Sequence, residues 1–283
     1  MKRILLPTDF SDNAYNAIKY AVQFFKDETC TFYLLNTFTP ISYTAEYLIE
    51  NPAPYGIEEV ALGHSKKEIE KVAQKIQIEF PNEKHQFVKL SAFNMLIAEI
   101  KDVIETYNID LIIMGTKGAT GLKEVLIGSQ TMYTMKKVKC PIIAVPDGFV
   151  YEKPKEILFP TDYNLNTSNP ILLPLIKSIC DIHNSRLHIL NAYYGVPLVT
   201  QQQDTKVYLD TYFEENAHVF EIADGMDVIE AIEDYQKYHI INLLVMVHNK
   251  HSFFENLLFK PVINQIAYHL NVPFLVIPSI ERQ

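Results

Sequence analysis

Cysteine is scarce in this chain. Its 283 residues carry three, Cys30, Cys140 and Cys180, too far apart for a metal or redox spacing. An odd, scattered set is no disulfide framework and suits a reducing cytoplasm. Positive charge is in deficit: 25 Lys and Arg face 34 Asp and Glu, a formal net charge of −9. That argues against nucleic acid or an anionic membrane as partner. No apolar run approaches the length of a membrane span. The opening stretch Met1 to Pro7 is too short for a signal peptide, and Asp9 interrupts it. A P-loop, a kinase signature set and a nucleophile elbow are all missing. What is left is the expectation of a soluble, acidic, cytoplasmic protein without a standard NTPase or hydrolase site.

What is there is written twice. Pro7-Thr8-Asp9 recurs as Pro160-Thr161-Asp162, and Leu34-Leu35-Asn36 as Ile189-Leu190-Asn191. The run from Ile109 to Met114 recurs from Ile241 to Met246, and Pro141–Pro146 recurs as Pro273–Pro278. The last two matches share one shift of 132 residues, from 109 to 241 and from 141 to 273. Two chance matches rarely share a shift, so the pattern reads as a domain duplication; solenoid repeats are much shorter. With 48% hydrophobic residues, the chain can fill two cores. The polar seam from Asp147-Gly148 to Lys153-Pro154-Lys155 separates domains at 1–147 and 154–283.

Each half alternates short apolar runs with helical patterns. In the first half the runs sit at 2–7, 31–37, 86–90, 110–114 and 141–145. Between them, Ala14, Ala17, Ile18, Ala21, Val22 and Phe25 follow helical spacing, with Ser11 as the expected N-cap. Ile69, Val72, Ala73 and Ile76 repeat the pattern, as do Leu96, Ile97, Ile100, Val103 and Ile104 after Asn94. A last helix is expected from Ser129, carrying Met132, Met135 and Val138. In the second half, Asn169-Pro170 places Pro at a helix start. Near-continuous apolar strands separated by helices imply a parallel sheet covered on both faces, hence an α/β fold.

In such sheets ligands bind beyond the carboxyl ends of the strands, where strand order reverses. There the chain places Gly115-Thr116-Lys117-Gly118, nine residues more, then Gly128-Ser129. Glycines let the backbone come close to an anion. A helix starting at Ser129 directs free N–H groups and the positive end of its dipole at the same point. Asp9 at the end of strand one and Gly115 at the end of strand four line one crevice if those strands are neighbours. Asn36-Thr37 then forms its far wall.

These residues resemble the universal stress protein family. Gly115, Gly118, Gly128 and Ser129 match the Gly-x2-Gly-x9-Gly-Ser/Thr motif of its nucleotide-binding members in full. The opening from Ile4 to Ser11 and the ending from Cys140 to Val145 also look like that family. The resemblance covers nearly the whole chain as a tandem pair. It implies two doubly wound, Rossmann-like, five-stranded parallel sheets of order 3-2-1-4-5, paired through their last strands as an internal pseudo-dimer. It also implies ATP, or AMP or ADP, in the crevice, with Mg2+ able to join through the phosphates. Carried over by position, Asp9 faces the adenosine, with Pro7 and Thr8 leading into it. Thr37 and Met114 flank the adenine. Gly115, Lys117 and Gly118 wrap the phosphates from one side, and Gly128, Ser129, Gln130 and Thr131 hold them from the other. Lys117 stands where the family often has arginine.

The second half departs from the motif. The shift of 132 replaces Gly115 by Val247, Gly118 by Lys250, Gly128 by Lys260 and Ser129 by Pro261. Val247 is β-branched where a flexible turn is needed, and Pro261 lacks an N–H donor. Asp162 survives without a phosphate cradle. The expectation is one nucleotide per chain, in the first half, with the second half a structural or regulatory copy.

Each signal also has a plainer reading. The glycines can be loop ends and helix caps. Asp9 can compete with Ser11 as a cap, and Asn36 can be a polar strand end. His248 and His251 stand three apart, as metal ligands can, but no carboxylate or cysteine pattern joins them. Cys140 reads as core. Tyr43, Tyr47 and Tyr55 can cover the crevice or pack on a neighbouring helix. No catalytic constellation accompanies the motif, so a stress-response regulator that binds a nucleotide is favoured over a slow ATPase at the same site. A nucleotide-free interaction protein is the third reading. A homodimer of whole chains is compatible with the apolar last strands, and no protein partner is indicated.

Overall fold

The computed structural model describes residues 1–39, 57–116, 129–193, 197–248 and 272–278. The chain divides into two compact units, the first covering Met1–Tyr151 and the second starting at Glu152.

The first unit holds strands β1 (Lys2–Pro7), β2 (Cys30–Phe38), β3 (His85–Phe93), β4 (Leu111–Gly115) and β5 (Ile142–Val145). Its helices are α1 (Asp12–Phe24), α2 (Ile57–Glu79), α3 (Leu96–Tyr107) and α4 (Ser129–Lys137). The strands lie in the order β3-β2-β1-β4-β5, and their pairings are parallel. The cause is visible in the burial: Ile4, Leu5, Leu6, Leu34, Leu35, Ile112 and Ile113 are fully enclosed. A strand buried on both faces cannot alternate with polar residues. α1 touches α2, and α3 touches α4. With right-handed crossovers, one pair covers each face of the sheet.

The second unit repeats this plan. Its strands are β6 (Glu156–Pro160), β7 (Arg186–Tyr193), β8 (His218–Asp224), β9 (Leu243–His248) and β10 (Phe274–Pro278). Its described helices are α5 (Leu172–His183), α6 (Thr200–Tyr212) and α7 (Val228–Tyr238). The strand order β8-β7-β6-β9-β10 is again 3-2-1-4-5 within the unit. The register repeats as well. Ile113 pairs with Ile143 and Gly115 with Val145; Val245 pairs with Leu275 and Val247 with Ile277. Each partner is displaced by the shift of 132 seen in the sequence.

Local chemistry sets the helix ends. Ser11 caps α1, its hydroxyl accepting from the Ala14 N–H at 3.2 Å. Asn108 and Asn184 close α3 and α5 in the left-handed conformation at φ 50°, which asparagine tolerates. Asn169-Pro170 leads into α5. The Asn169 side chain accepts from Ile171 N–H at 2.9 Å and Leu172 N–H at 3.3 Å, as an N-cap does with Pro next after it, and the regular helix runs from Leu172.

Candidate functional site

β1 lies between β2 and β4, so the reversal of strand order falls at its carboxyl end. Ile4 pairs with Leu111 and Leu5 with Ile112. Continued, that register sets Pro7 level with Met114 and Thr8 level with Gly115. On the other side Pro7 pairs with Leu35, two residues before Thr37. Sheet topology therefore gathers the ends of β1, β2 and β4 from three distant segments. Met114 is buried, Thr37 half-buried and Asp9 exposed.

The turn after β1 is tightly bonded. Thr8 N–H donates to the Leu35 carbonyl at 2.8 Å, and the Thr8 hydroxyl accepts from Phe10 N–H at 3.0 Å. Phe10 takes φ 66°, a left-handed conformation. The Asn36 amide donates to the Thr8 carbonyl at 2.8 Å from a buried position. Asp9 does not cap the helix. Its Oδ1 accepts from the Ser11 N–H at 3.1 Å and the Ser11 hydroxyl at 2.6 Å, holding the residue that does.

The second unit builds the same turn. Thr161 N–H donates to the Leu190 carbonyl at 2.8 Å, and the Asn191 amide donates to the Thr161 carbonyl at 2.9 Å. Tyr163 takes φ 60°, and its N–H donates to the Thr161 hydroxyl at 3.0 Å. Asp162 accepts from Asn164 N–H at 3.0 Å. The turn persists where the glycine motif is gone, so Pro-Thr-Asp belongs to the fold first. Asn36 and Asn191 are the residues whose role sequence reasoning underestimated. Their signal was the Leu-Asn pair recurring in both halves.

On the other side of the crevice, Gly115 closes β4. A Cβ there would sit 2.0 Å from Asn13 Oδ1 and 3.0 Å from the Asn13 carbonyl oxygen. Glycine is thus required by the first turn of α1 as well as by any anion. Asn13 in turn donates to Asp147 Oδ1 at 3.2 Å. Thr131, buried in the first turn of α4, donates its hydroxyl to the Gly115 carbonyl at 2.7 Å. One hydrogen bond therefore joins the end of β4 to the start of α4, sixteen residues later in the chain. Ser129 and Gln130 are exposed beside that junction. No acidic residue occupies the first turn of α4. The dipole of α4 gives the junction positive potential.

Lys117, Gly118 and Gly128 lie outside the described residues. So do Tyr43, Tyr47, Tyr55, Lys250, His251, Lys260 and Pro261, and nothing is described of the His248 side chain. Val247, the counterpart of Gly115, is a half-exposed residue within β9. Cys140 is buried, and burial with Asp110 nearby pushes its thiol up to about 12. Among the described residues no group of three His, Cys, Asp or Glu side chains could hold a metal ion. No described helix is long and apolar enough to cross a membrane.

The chain spans 84% of a universal stress protein of Methanocaldococcus jannaschii, with 29% identity over 158 residues, 55% of its own length. A second universal stress protein of that organism is 30% identical over 168 residues, which is 51% of this chain and 94% of that one. A universal stress protein structure from Archaeoglobus fulgidus covers 98% of both chains at a TM-score of 0.64, with 18% identity, and shows the fold. The family model of the universal stress proteins matches residues 1–146. With half its length matched by that model and the fold repeated along the rest, the chain belongs to the universal stress protein family.

Proposed function

We propose that the first unit binds an adenine nucleotide, ATP or its di- or monophosphate, and that the protein is a stress-response regulator governed by that occupancy. The carrying observation is the junction of β4 with α4. The Thr131 to Gly115 bond brings a glycine strand end and the first turn of α4 together beside the end of β1. The sequence spacing from Gly115 to Ser129 supplies the rest of the cradle. Lys117, Gly118, Gly128, Ser129 and Gln130 face the phosphates, and Asp9, Thr37 and Met114 face the nucleoside. Mg2+ would enter with the nucleotide, through its phosphates, and would neutralise part of their charge. The second unit keeps the turn, lacks the glycines, and is a structural or regulatory copy.

One observation favours a nucleotide-free reading: Gly115 has a packing reason of its own in Asn13. Titration calorimetry with ATP and Mg2+ separates the two. Saturable binding to the full chain that disappears in Gly118→Val supports the nucleotide site. No heat at millimolar ATP supports an interaction protein.

A further inference from the structure

Both units begin their third strand with a histidine, and the two are built in opposite ways. His85 opens β3 from a buried position, with Nδ1 unpartnered. His218 opens β8 with both ring nitrogens on oxygen acceptors. Its Nδ1 lies 3.0 Å from the Asn216 carbonyl oxygen, and its Nε2 lies 2.9 Å from Asp210 Oδ1. Neither a carbonyl nor an ionised carboxylate can donate. Both contacts are hydrogen bonds only when both nitrogens carry protons, which makes the ring an imidazolium.

The surroundings favour that charge. Asp210 lies in the last turn of α6, where no basic residue offsets the negative end of the helix dipole. The ring supplies the cation that this helix end lacks. Its edge meets the Phe220 ring at 5.7 Å, and Leu187 stands level with it on β7. Asn216 carries the contact on to α5. Lys177 donates to Asn216 Oδ1 at 3.1 Å and to Glu215 at 3.2 Å, and the Asn216 amide donates to Asp181 at 2.7 Å. The charged groups around the ring are thus Asp210, Glu215 and Asp181 against Lys177. Burial opposes protonation of His218. The bond to Asp210, the Asn216 carbonyl and the Asp210 charge outweigh burial, and its pKa stands above the ordinary histidine value.

We propose that His218 is a proton-operated clasp: as an imidazolium it fastens the end of α6 and the turn after it to β8, and on losing its proton it releases Asp210. The neutral ring keeps its Nδ1 proton on the Asn216 carbonyl and turns a lone pair toward Asp210. The carboxylate can then turn to Lys206, one helical turn earlier. Lys206 Nζ lies 5.2 Å from the Phe220 ring centroid, and Lys206, Asp210 and Phe220 line a cleft of about 570 Å³ between α6 and β8. The proton therefore sets the charge along one wall of that cleft. Linkage fixes the sign. Folding raises the pKa, so the clasp's stabilisation is complete below the unfolded histidine value and is lost as pH rises through the folded one. His85 carries the opposite sign, its pKa being lowered by burial. The inference uses no residue of the candidate crevice and is independent of the nucleotide reading.

The test is proton–nitrogen correlation NMR of the full chain, with the His218 ring signals assigned by their loss in His218→Gln. Both ring nitrogens should carry protons at about pH 6, and Nδ1 alone at about pH 9. The titration midpoint should lie above that of the urea-unfolded chain and should drop in Asp210→Asn. Melting curves give a second readout: the wild type should exceed His218→Gln most below about pH 6, and the gap should close toward about pH 9. A midpoint at or below the unfolded one, a neutral ring protonated at Nε2, a midpoint indifferent to Asp210→Asn, or a gap that does not change with pH would each overturn the assignment.

Discussion

Two demands meet at Gly115. The proposed site assigns it to a phosphate, and the structure shows that it also makes room for Asn13. Gly115→Ala should therefore destabilise the free protein by about 1–3 kcal/mol in urea unfolding, because the Asn13 carbonyl cannot swing away as a side chain can. An unchanged midpoint would show that α1 yields. Asn36 and Asn191 are the second lesson at this scale. Each ties the end of one strand to the turn of its neighbour from a buried position. Asn36→Leu should cost about 1–3 kcal/mol by leaving the Thr8 carbonyl unpaired, and Asn191→Leu should cost the same. A polar residue at a strand end reads in a sequence as a simple exit to solvent. Nothing local says that its amide turns inward; only the recurrence of Leu-Asn in both halves pointed to a shared role. Cys140 was legible as core, and the structure buries Cys30 and Cys180 as well, with all three thiols pushed up to about 12 chiefly by burial. A thiol reagent at pH 8 should leave them unmodified in the native chain and reach them after unfolding.

Among the elements, α1 shows what periodicity can and cannot reveal. Ala14, Ala17, Ile18 and Ala21 face the sheet as their spacing predicts, and Ser11 caps the helix as expected. Tyr20 is buried as well, its ring against Phe149 and Tyr151, a contact that spacing along the helix does not reveal because those residues arrive from elsewhere in the chain. α7 carries a capping box. Asp227 accepts from Glu230 N–H at 2.9 Å, and Glu230 accepts from Asp227 N–H at 3.1 Å. Asp227→Ala should cost about 1 kcal/mol by denaturant unfolding. At the start of β3, His85 is buried with Nε2 3.0 Å from the Phe25 carbonyl and Nδ1 unpartnered. Protonation would add a charge and a second donor without an acceptor, and burial lowers its pKa. The unfolded chain then binds a proton that the folded chain refuses. Stability should fall as pH drops from about 7 through the ordinary histidine value, and His85→Gln, which keeps a donor, should flatten that limb of a melting-temperature profile. An unchanged limb would assign the acid sensitivity elsewhere.

Across the whole molecule, duplication was the strongest message in the sequence and the best reproduced in the structure. The shift of 132 residues reappears in the pairing of β4 with β5 and of β9 with β10. It was legible because buried parallel strands need unbroken apolar runs, and such runs align without gaps. The site was legible in part. The spacing of Gly115 and Ser129 anticipated a strand end and a helix start, and Thr131 joins them. The Pro-Thr-Asp turn, first read toward the ligand, proved common to both units and so says little about which unit binds. The asymmetry rests on the glycines alone. The decisive measurement is therefore a count: heat-denature protein purified without added nucleotide, and quantify released adenine nucleotides per chain by mass spectrometry. The account predicts one per chain, released from the wild-type protein and lost in Gly118→Val. Two per chain, or one that survives Gly118→Val, would contradict it.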